Sequence, residues 1–262
     1  MSTNLLSGVA FITGAGSGIG QAAAIAFVNN GVRKLVMADV SQKGMQATKD
    51  LLKDTKDLEI EAIEMDVSNE ESVVAGMKQA VKRFGRIDYA LNNAGIGGPL
   101  TGSGDMSLAQ WEKTLGVNTN GVFLCQKEEV NIMLKQEDAG PRKGRGVIIN
   151  TASMLGLVAM PNSLPATCYV TSKHAVIGMT KSDGIVYAPK GIRINAICPG
   201  HVETPMQSVT PDGAMATEIA RIPRGRCAKP EEIADAMVFL ASPLSSYMNG
   251  TAIVVDGGYT AY

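Results

Sequence analysis

The sequence predicts an α/β fold, a doubly wound parallel sheet with helices on both faces. Short apolar or β-branched runs alternate with helix-length segments from end to end, the pattern of repeated βαβ units. Runs such as Phe11-Ile12 and Ile253-Val254-Val255 are continuously apolar, as strands covered on both faces require. Glycine supplies 29 of 262 residues, above the roughly 7% of ordinary usage and without collagen period or low-complexity runs. So much glycine marks places where backbone turns sharply or approaches something closely.

The first strand is expected at 9–13 (VAFIT), followed across a glycine-rich turn by a helix at 19–30. A second strand at 34–38 (KLVMA) leads to a helix at 42–54, and a third at 59–65 to a helix at 70–84. A fourth strand at 87–91 precedes one long helix at 108–135. Strand 146–150 (GVIIN) leads to a helix at 168–188, strand 193–197 (RINAI) to a helix at 230–241, and strand 251–255 closes the series. No stretch of Pro, Ser or charge is long enough for an interdomain linker, which predicts one domain.

Two segments break the rhythm. Residues 135–146 (KQEDAGPRKGRG) mix both charge signs among turn residues and read as a solvated loop rather than a nucleic-acid patch. Residues 200–227 are long, carry Pro205, Pro211 and Pro223, and lack periodicity; a segment of that length after a strand end reads as a lid at a ligand site.

Composition excludes several classes. An apolar share of 45% is enough for a sizeable core. A net charge of -1, from 24 basic and 25 acidic residues, gives no pull towards nucleic acid or an anionic membrane. No apolar run reaches the ~18 residues of a spanning helix. The start, Met1 to Leu6, has no basic region before an apolar stretch, so no secretory signal is expected and the chain reads as cytoplasmic. Cys125, Cys168, Cys198 and Cys227 form no CxxC pair, and His174 and His201 are the only histidines. Reduced, buried thiols are expected, with no metal.

Thr13-Gly14-Ala15-Gly16-Ser17-Gly18-Ile19-Gly20 follows the first strand and opens a helix. Missing side chains there let backbone approach a pyrophosphate, and helix N-terminal N–H groups meet its charge. The spacing is GxxxGxG rather than GxGxxG, and alone it is equally an ordinary tight turn. Asp39 ends the second strand 19 residues beyond Gly20, where a carboxylate can accept from adenosine ribose hydroxyls and would repel a 2′-phosphate. Neither Ser17 nor Val40-Ser41 offers a cation, and Arg33 and Lys34 belong to the strand's far end. NAD is favoured over NADP. A helix N-cap is the other reading of Asp39, and Ser41 could supply that cap instead.

Tyr169-Val170-Thr171-Ser172-Lys173 places a phenol and an ammonium at i and i+4 on one helix face. A phenol ordinarily titrates near ~10, too high for a base at neutral pH. A neighbouring cation would lower it.

Seven motifs occur in order: TGAGSGIG at 13–20, Asp66-Val67, Asn92-Asn93-Ala94-Gly95, Asn118 in VNTNGVF, Ser153 in NTAS, YVTSK at 169–173, and Pro199-Gly200 with Thr204. With them the chain resembles the classical short-chain dehydrogenase/reductase family over essentially its full length. The resemblance implies a Rossmann-type fold of seven parallel strands in order 3-2-1-4-5-6-7, in one NAD(P)-binding domain over 1–262, assembled as a homotetramer or dimer.

It also implies roles. Tyr169 would exchange a proton with the substrate oxygen, Ser153 would orient that oxygen, and Lys173 would hold the nicotinamide ribose and lower the Tyr169 pKa. Asn118 would fix a water leading the proton to solvent. Gly14, Ser17, Gly18, Ile19 and Gly20 would hold the cofactor's phosphates and Asp39 its adenosine ribose. Asp66 and Val67 would border adenine; Asn92, Ala94 and Gly95 would line the ribose side; Pro199, Gly200, Val202 and Thr204 would close the nicotinamide end. Gly14, Gly18, Gly20, Gly95 and Gly200 would each lie where a dinucleotide meets backbone.

Fifteen residues separate Ser153 from Tyr169, more than the family's usual spacing, with the extra material at 161–166. That loop would edge the substrate pocket, together with Leu155, Met160, Leu164, His201 and Met206, and suggests a mainly apolar alcohol or ketone, cyclic ones included. The expected activity is NAD-dependent interconversion of a secondary alcohol and a ketone. An NADPH-linked carbonyl reductase of the 3-oxoacyl type is the alternative within enzymes. A non-catalytic dinucleotide sensor is the alternative outside them, opposed by the intact Asn118, Ser153, Tyr169 and Lys173 set. No GxSxG or SxxK nucleophile motif is present.

Overall fold

The computed structural model describes residues 4–207 and 214–261. Seven parallel strands form one sheet: β1 (Val9–Thr13), β2 (Lys34–Asp39), β3 (Glu59–Glu64), β4 (Tyr89–Asn92), β5 (Gly146–Thr151), β6 (Ile192–Pro199) and β7 (Ala252–Val255). Their order is β3-β2-β1-β4-β5-β6-β7, as the family resemblance implies. The helices are α1 (Gly18–Asn29), α2 (Gln42–Leu52), α3 (Glu70–Phe84), α4 (Leu108–Leu115), α5 (Gly121–Met133), α6 (Thr167–Tyr187), α7 (Ala214–Ala220) and α8 (Pro230–Ala241). No described helix is long and apolar enough to cross a membrane.

The alternation within β1 explains the two-sided core. Ala10 and Ile12 face one layer, with Phe27 of α1, Met45 of α2 and Met237 of α8. Val9 and Phe11 face the other, with Met77 of α3 and Cys125 and Met133 of α5. Period two sends neighbours to opposite faces, so a strand buried on both sides must be apolar throughout. Each such buried side chain contributes about 1.5–3 kcal/mol relative to exposure. All four cysteines are free and buried.

Local chemistry sets the helix ends. Ser41 caps α2 by accepting from the Gly44 N–H at 3.1 Å, and Asn69 caps α3 by accepting from the Ser72 N–H at 2.9 Å. Gly85 ends α3 in the left-handed region at φ 78°. Pro230 begins α8, where its missing N–H costs nothing.

Two expectations need correction. The helix expected at 108–135 runs without a gap from Leu108 to Met133 but is not α throughout: between α4 and α5 residues Gly116–Asn120 form a π-helical turn. Apolar periodicity continues across that turn, so pattern alone reads straight through it. Residues 200–227 are also not structureless, since they hold α7; residues 208–213 of that expected lid lie outside the described residues. Its ends are stitched together: Val202 bridges Ala228, the Ala228 N–H donates to the His201 carbonyl at 2.9 Å, and the Glu203 N–H to the Ala228 carbonyl at 3.0 Å.

Between β1 and β4 the sheet order changes direction. Helices leave on opposite faces there, so a crevice opens beyond the carboxyl ends of the strands.

Candidate active site

That crevice is a cleft of about 350 Å³. Gly14, Ser17, Gly18, Ile19, Asp39, Asp66, Val67, Ala94, Gly95, Ser153, Tyr169, Lys173, Pro199, Gly200, Val202, Thr204 and Met206 all line it, bringing most of the expected site residues together.

The turn after β1 adopts φ 65° at Gly14, a left-handed conformation that glycine tolerates. Ser17 precedes α1 in extended backbone and makes no side-chain cap, so the first-turn N–H groups stay open to the cleft. That suits an anion. The glycines themselves serve the protein more than a ligand. A Cβ on Gly20 would stand 2.0 Å from the Gly14 carbonyl oxygen, and one on Gly200 would stand 2.7 Å from the Asp256 Cα. Gly20 does not line the cleft; it lets α1 start against its own turn. The expectation that each of the five glycines meets a dinucleotide is corrected for this one.

Asp39 sits at the carboxyl end of β2. It accepts from the Gly16 N–H at 2.8 Å and from the Ser41 N–H at 2.8 Å. Ser41, and not Asp39, caps α2, which leaves the carboxylate turned to the cleft. Arg33 donates to the Val28 and Val32 carbonyls at 2.7 and 2.8 Å, away from this end. Among the described lining residues Lys173 is the one cation. Asp66 accepts from the backbone and hydroxyl of Ser68 at 2.9 and 2.7 Å, holding the turn after β3 that presents Val67.

The opposite wall carries Ser153, Tyr169 and Lys173. Ser153 follows β5 in extended backbone, and its Oγ accepts from the Leu155 N–H at 3.1 Å. Tyr169 and Lys173 lie one turn apart on α6, with the Lys173 Nζ 5.5 Å from the Tyr169 ring centroid. The ammonium donates to the Thr151 carbonyl at 2.8 Å. Burial pushes Lys173 down to about 8, weakly opposed by the Cys198 thiol. Burial also pushes the Tyr169 phenol up, with the Ser153 hydrogen bond pulling the other way. The expected lowering of Tyr169 by Lys173 is absent from the chain alone, where desolvation sets the direction and Ser153, not Lys173, opposes it.

Asn118 lies in the π-helical turn and is fully buried. Its Oδ1 accepts from the Ile96 N–H at 2.8 Å, and its Nδ2 donates to the Ile96 carbonyl at 2.9 Å and the Ser172 Oγ at 3.2 Å. It ties the segment after β4 to α6. These bonds make it a clamp behind the wall that carries Tyr169 and Lys173, and a π turn is a recurrent device for aiming such a group.

Besides Gly20, the expected residues Asn92, Asn118, Leu155, Met160, Leu164 and His201 sit outside the cleft lining. Asn92 is the last residue of β4, paired with Asn150, and its side chain turns into the interior; the strand runs one residue further than expected. Asn93 lines the cleft in its place, with its N–H donating to the Thr13 Oγ at 3.0 Å. The twin asparagines carried that signal: past a strand end, neighbours face opposite sides. Leu155 is buried in an apolar cluster with Met154, Ile222 and Tyr259, against which Met160 and Tyr169 pack. Both Leu155 and Met160 thus back Tyr169 from behind the lining. His201 is buried beneath the segment it begins, its Nδ1 2.9 Å from the Gln207 Nε2 and its ring 5.5 Å from that of Tyr259. Gln207, which lines the cleft and also accepts from the Val202 N–H at 3.2 Å, escaped sequence reading because it belongs to no motif. Of the lengthened loop, residues 161–164 form a turn closed by the Leu164 N–H and the Pro161 carbonyl at 3.0 Å.

Comparison with known proteins places the chain among relatives of one family. The family model described as Enoyl-(Acyl carrier protein) reductase matches residues 14–260. The chain is 40% identical to the short-chain dehydrogenase fogB of Aspergillus ruber, covering 97% of each chain. It is 36% identical to a cyclohexanol dehydrogenase of an Acinetobacter species, covering 100% of this chain and 98% of that one. Among solved structures, a 3-ketoacyl-(acyl-carrier-protein) reductase from Brucella melitensis complexed with NADH superposes with a TM-score of 0.85 at 33% identity, covering 97% of this chain and 98% of that one.

Proposed function

The chain belongs to the short-chain dehydrogenase/reductase family of oxidoreductases, and from that premise we propose that it interconverts a secondary alcohol and a ketone with NAD, using Tyr169 as general acid–base. The observation that carries this reading is one cleft with Ser153, Tyr169 and Lys173 on one wall and the Asp39 carboxylate at its other end.

The residues present fit a nicotinamide dinucleotide. Open N–H groups at the start of α1 suit the pyrophosphate, and Asp39 retains lone pairs beyond its two backbone bonds for ribose hydroxyls. Lys173 would hold the nicotinamide ribose, and Thr204 would reach the carboxamide or the phosphates. When bound, the oxidised cofactor supplies the hydride-accepting carbon and a positive charge beside the phenol.

The side chains manage the proton. In alcohol oxidation Tyr169 Oη takes the hydroxyl proton as the substrate carbon gives up its hydride; in ketone reduction the same atom returns it. Ser153 Oγ hydrogen-bonds the reacting oxygen and fixes its distance from Tyr169 Oη. Lys173 keeps its ammonium near the phenol by donating to Thr151. Asn118 holds these parts in register and, in this reading, orders a water on the proton's path to solvent.

The substrate we infer is uncharged and apolar, alicyclic alcohols included. Val202, Pro205 and Met206 supply apolar lining, and no lining cation other than Lys173 awaits an anionic group among the described residues. Cyclohexanol, named for the Acinetobacter relative, is the first candidate. We also place the working form as a homo-oligomer of one-domain subunits, supported by the exposed apolar Phe123, Ile185 and Val186 on α5 and α6.

Equilibrium binding separates NAD from NADP. NADH should bind at least tenfold more tightly than NADPH when each is titrated by protein fluorescence, because Asp39 repels a 2′-phosphate. Tighter NADPH binding would overturn the cofactor assignment and favour the carbonyl-reductase alternative.

A further inference from the structure

Behind the catalytic wall lies a buried polar chain that the reaction described above does not use. Asn92 of β4, Asn150 of β5, and Gln126 and Glu129 of α5 are all at least nine-tenths buried. Glu129 has no exposure at all, and no cation pairs with it among the described residues.

The direction of every bond in this chain follows from its outer end. A carboxylate at Asp183 on α6 can only accept, and it accepts from Gln126 Nε2 at 2.7 Å. Gln126 Oε1 is thereby the acceptor, and Asn150 Nδ2 donates to it at 2.7 Å and to Thr180 Oγ at 2.9 Å. Asn150 Oδ1 in turn accepts from Asn92 Nδ2 at 3.0 Å. The second hydrogen of Asn92 Nδ2 goes to Glu129 Oε2 at 2.9 Å. Two buried acceptors then remain without partners, Asn92 Oδ1 and Glu129 Oε1. They belong to two groups already joined by one bond, and neither can donate to the other if Glu129 is ionised.

One proton resolves both. We propose that Glu129 is a positioning residue that works as a neutral acid, its Oε1–H donating to Asn92 Oδ1 while Asn92 Nδ2 donates to Oε2, a reciprocal acid–amide ring that locks the carboxyl ends of β4 and β5. Those ends carry the cleft. Asn93 adjoins Asn92, and Thr151, whose carbonyl receives the Lys173 ammonium, adjoins Asn150. The lock sets the backbone that holds Lys173.

The surroundings favour the neutral form. Burial pushes Glu129 up to about 8, against the Asn92 bond. Its titratable neighbours are Cys125 on the same helix, itself pushed well up by burial and by Glu129, and Asp183 on α6 at the far end of the chain. The Lys127–Glu70 pair joining α5 to α3 lies on the exposed side, and nothing charged on β4 or β5 acts on the carboxyl among the described residues.

The sign of the pH effect follows. An unfolded glutamate loses its proton near 4.5, and the folded one keeps it to about 8. Stability therefore falls as pH rises between those values and levels off above them. Glu129→Gln keeps a ring of the same shape, with an amide donating to Asn92 Oδ1, but does not titrate. The unfolding equilibrium constant of the wild type, measured by urea titration of the full chain, should rise relative to that of E129Q by up to tenfold per pH unit between about 5 and 8. Parallel profiles would overturn the proposal and leave an ionised Glu129 bridged by water. Infrared spectra of the wild type should show a buried carboxylic-acid C=O band at pH 7 that is lost at pH 9, and no such band would equally overturn it.

The positioning role has its own readout, which rests on the catalytic reading of the cleft; the other two measurements do not. Glu129→Leu, which strands the Asn92 amide, should lower kcat at least tenfold in the folded variant. A folded E129L with wild-type kcat would confine Glu129 to stability.

Discussion

Replacing Tyr169 with Phe should lower turnover by about 10²–10⁴-fold while leaving NADH binding within about twofold of the wild type. The substitution removes one hydroxyl and keeps the ring that packs on the apolar cluster around Leu155. In the proposed reading the lost hydroxyl is the group that takes and returns the substrate proton. Ser153 Oγ is a poor base, and Lys173 already donates to Thr151. The expected loss corresponds to about 3–5 kcal/mol of transition-state stabilisation at 1.36 kcal/mol per decade. Stopped-flow or steady-state rates beside a fluorescence titration of NADH separate the two effects. Unchanged turnover would contradict the acid–base assignment, and loss of NADH binding would recast Tyr169 as a cofactor contact.

Asp39→Ala should weaken NADH binding about 10–100-fold and narrow the preference over NADPH by a similar factor. Two causes add. The carboxylate's charged hydrogen bonds to ribose hydroxyls are each worth about 1.5–3 kcal/mol. Its bond from the Gly16 N–H also holds the glycine turn in place, and alanine cannot replace it. Asp39→Asn keeps an acceptor for Gly16 and removes the charge, so it should lose discrimination against the 2′-phosphate with a smaller loss of NADH affinity. An unaltered NADH-to-NADPH ratio in both variants would place the discriminating group elsewhere in the cleft.

Much of this arrangement was legible in the sequence, for physical reasons that differ by residue. β1 is bounded by glycines and apolar up to Thr13, so its limits at Val9 and Thr13 match expectation residue for residue. The sheet order followed from the family resemblance and not from periodicity, which is silent on order. Lys173 and Tyr169 share a face because i and i+4 always do in a helix. What escaped was whatever depends on one-residue register or on tertiary company. The π-helical turn at Gly116–Asn120 interrupts a helix whose apolar pattern does not falter. Asn92 and Asn93 exchanged roles because β4 extends one residue beyond the expected end. The Tyr169 phenol is pushed up in the chain alone, since sequence shows the neighbouring charge but not the burial that sets the direction. Glu129 belongs to no motif, and only the fold shows it sealed against Asn92.

NADH absorbance during incubation of the wild-type protein with cyclohexanol and either NAD or NADP tests the central claim most directly. Steady formation of reduced cofactor with NAD, at least tenfold faster than with NADP, is the predicted result. If neither cofactor is reduced by cyclohexanol or by any of a panel of secondary alcohols, and their ketones do not oxidise NADH, while NADH still binds, the cleft is a dinucleotide-binding site without this chemistry.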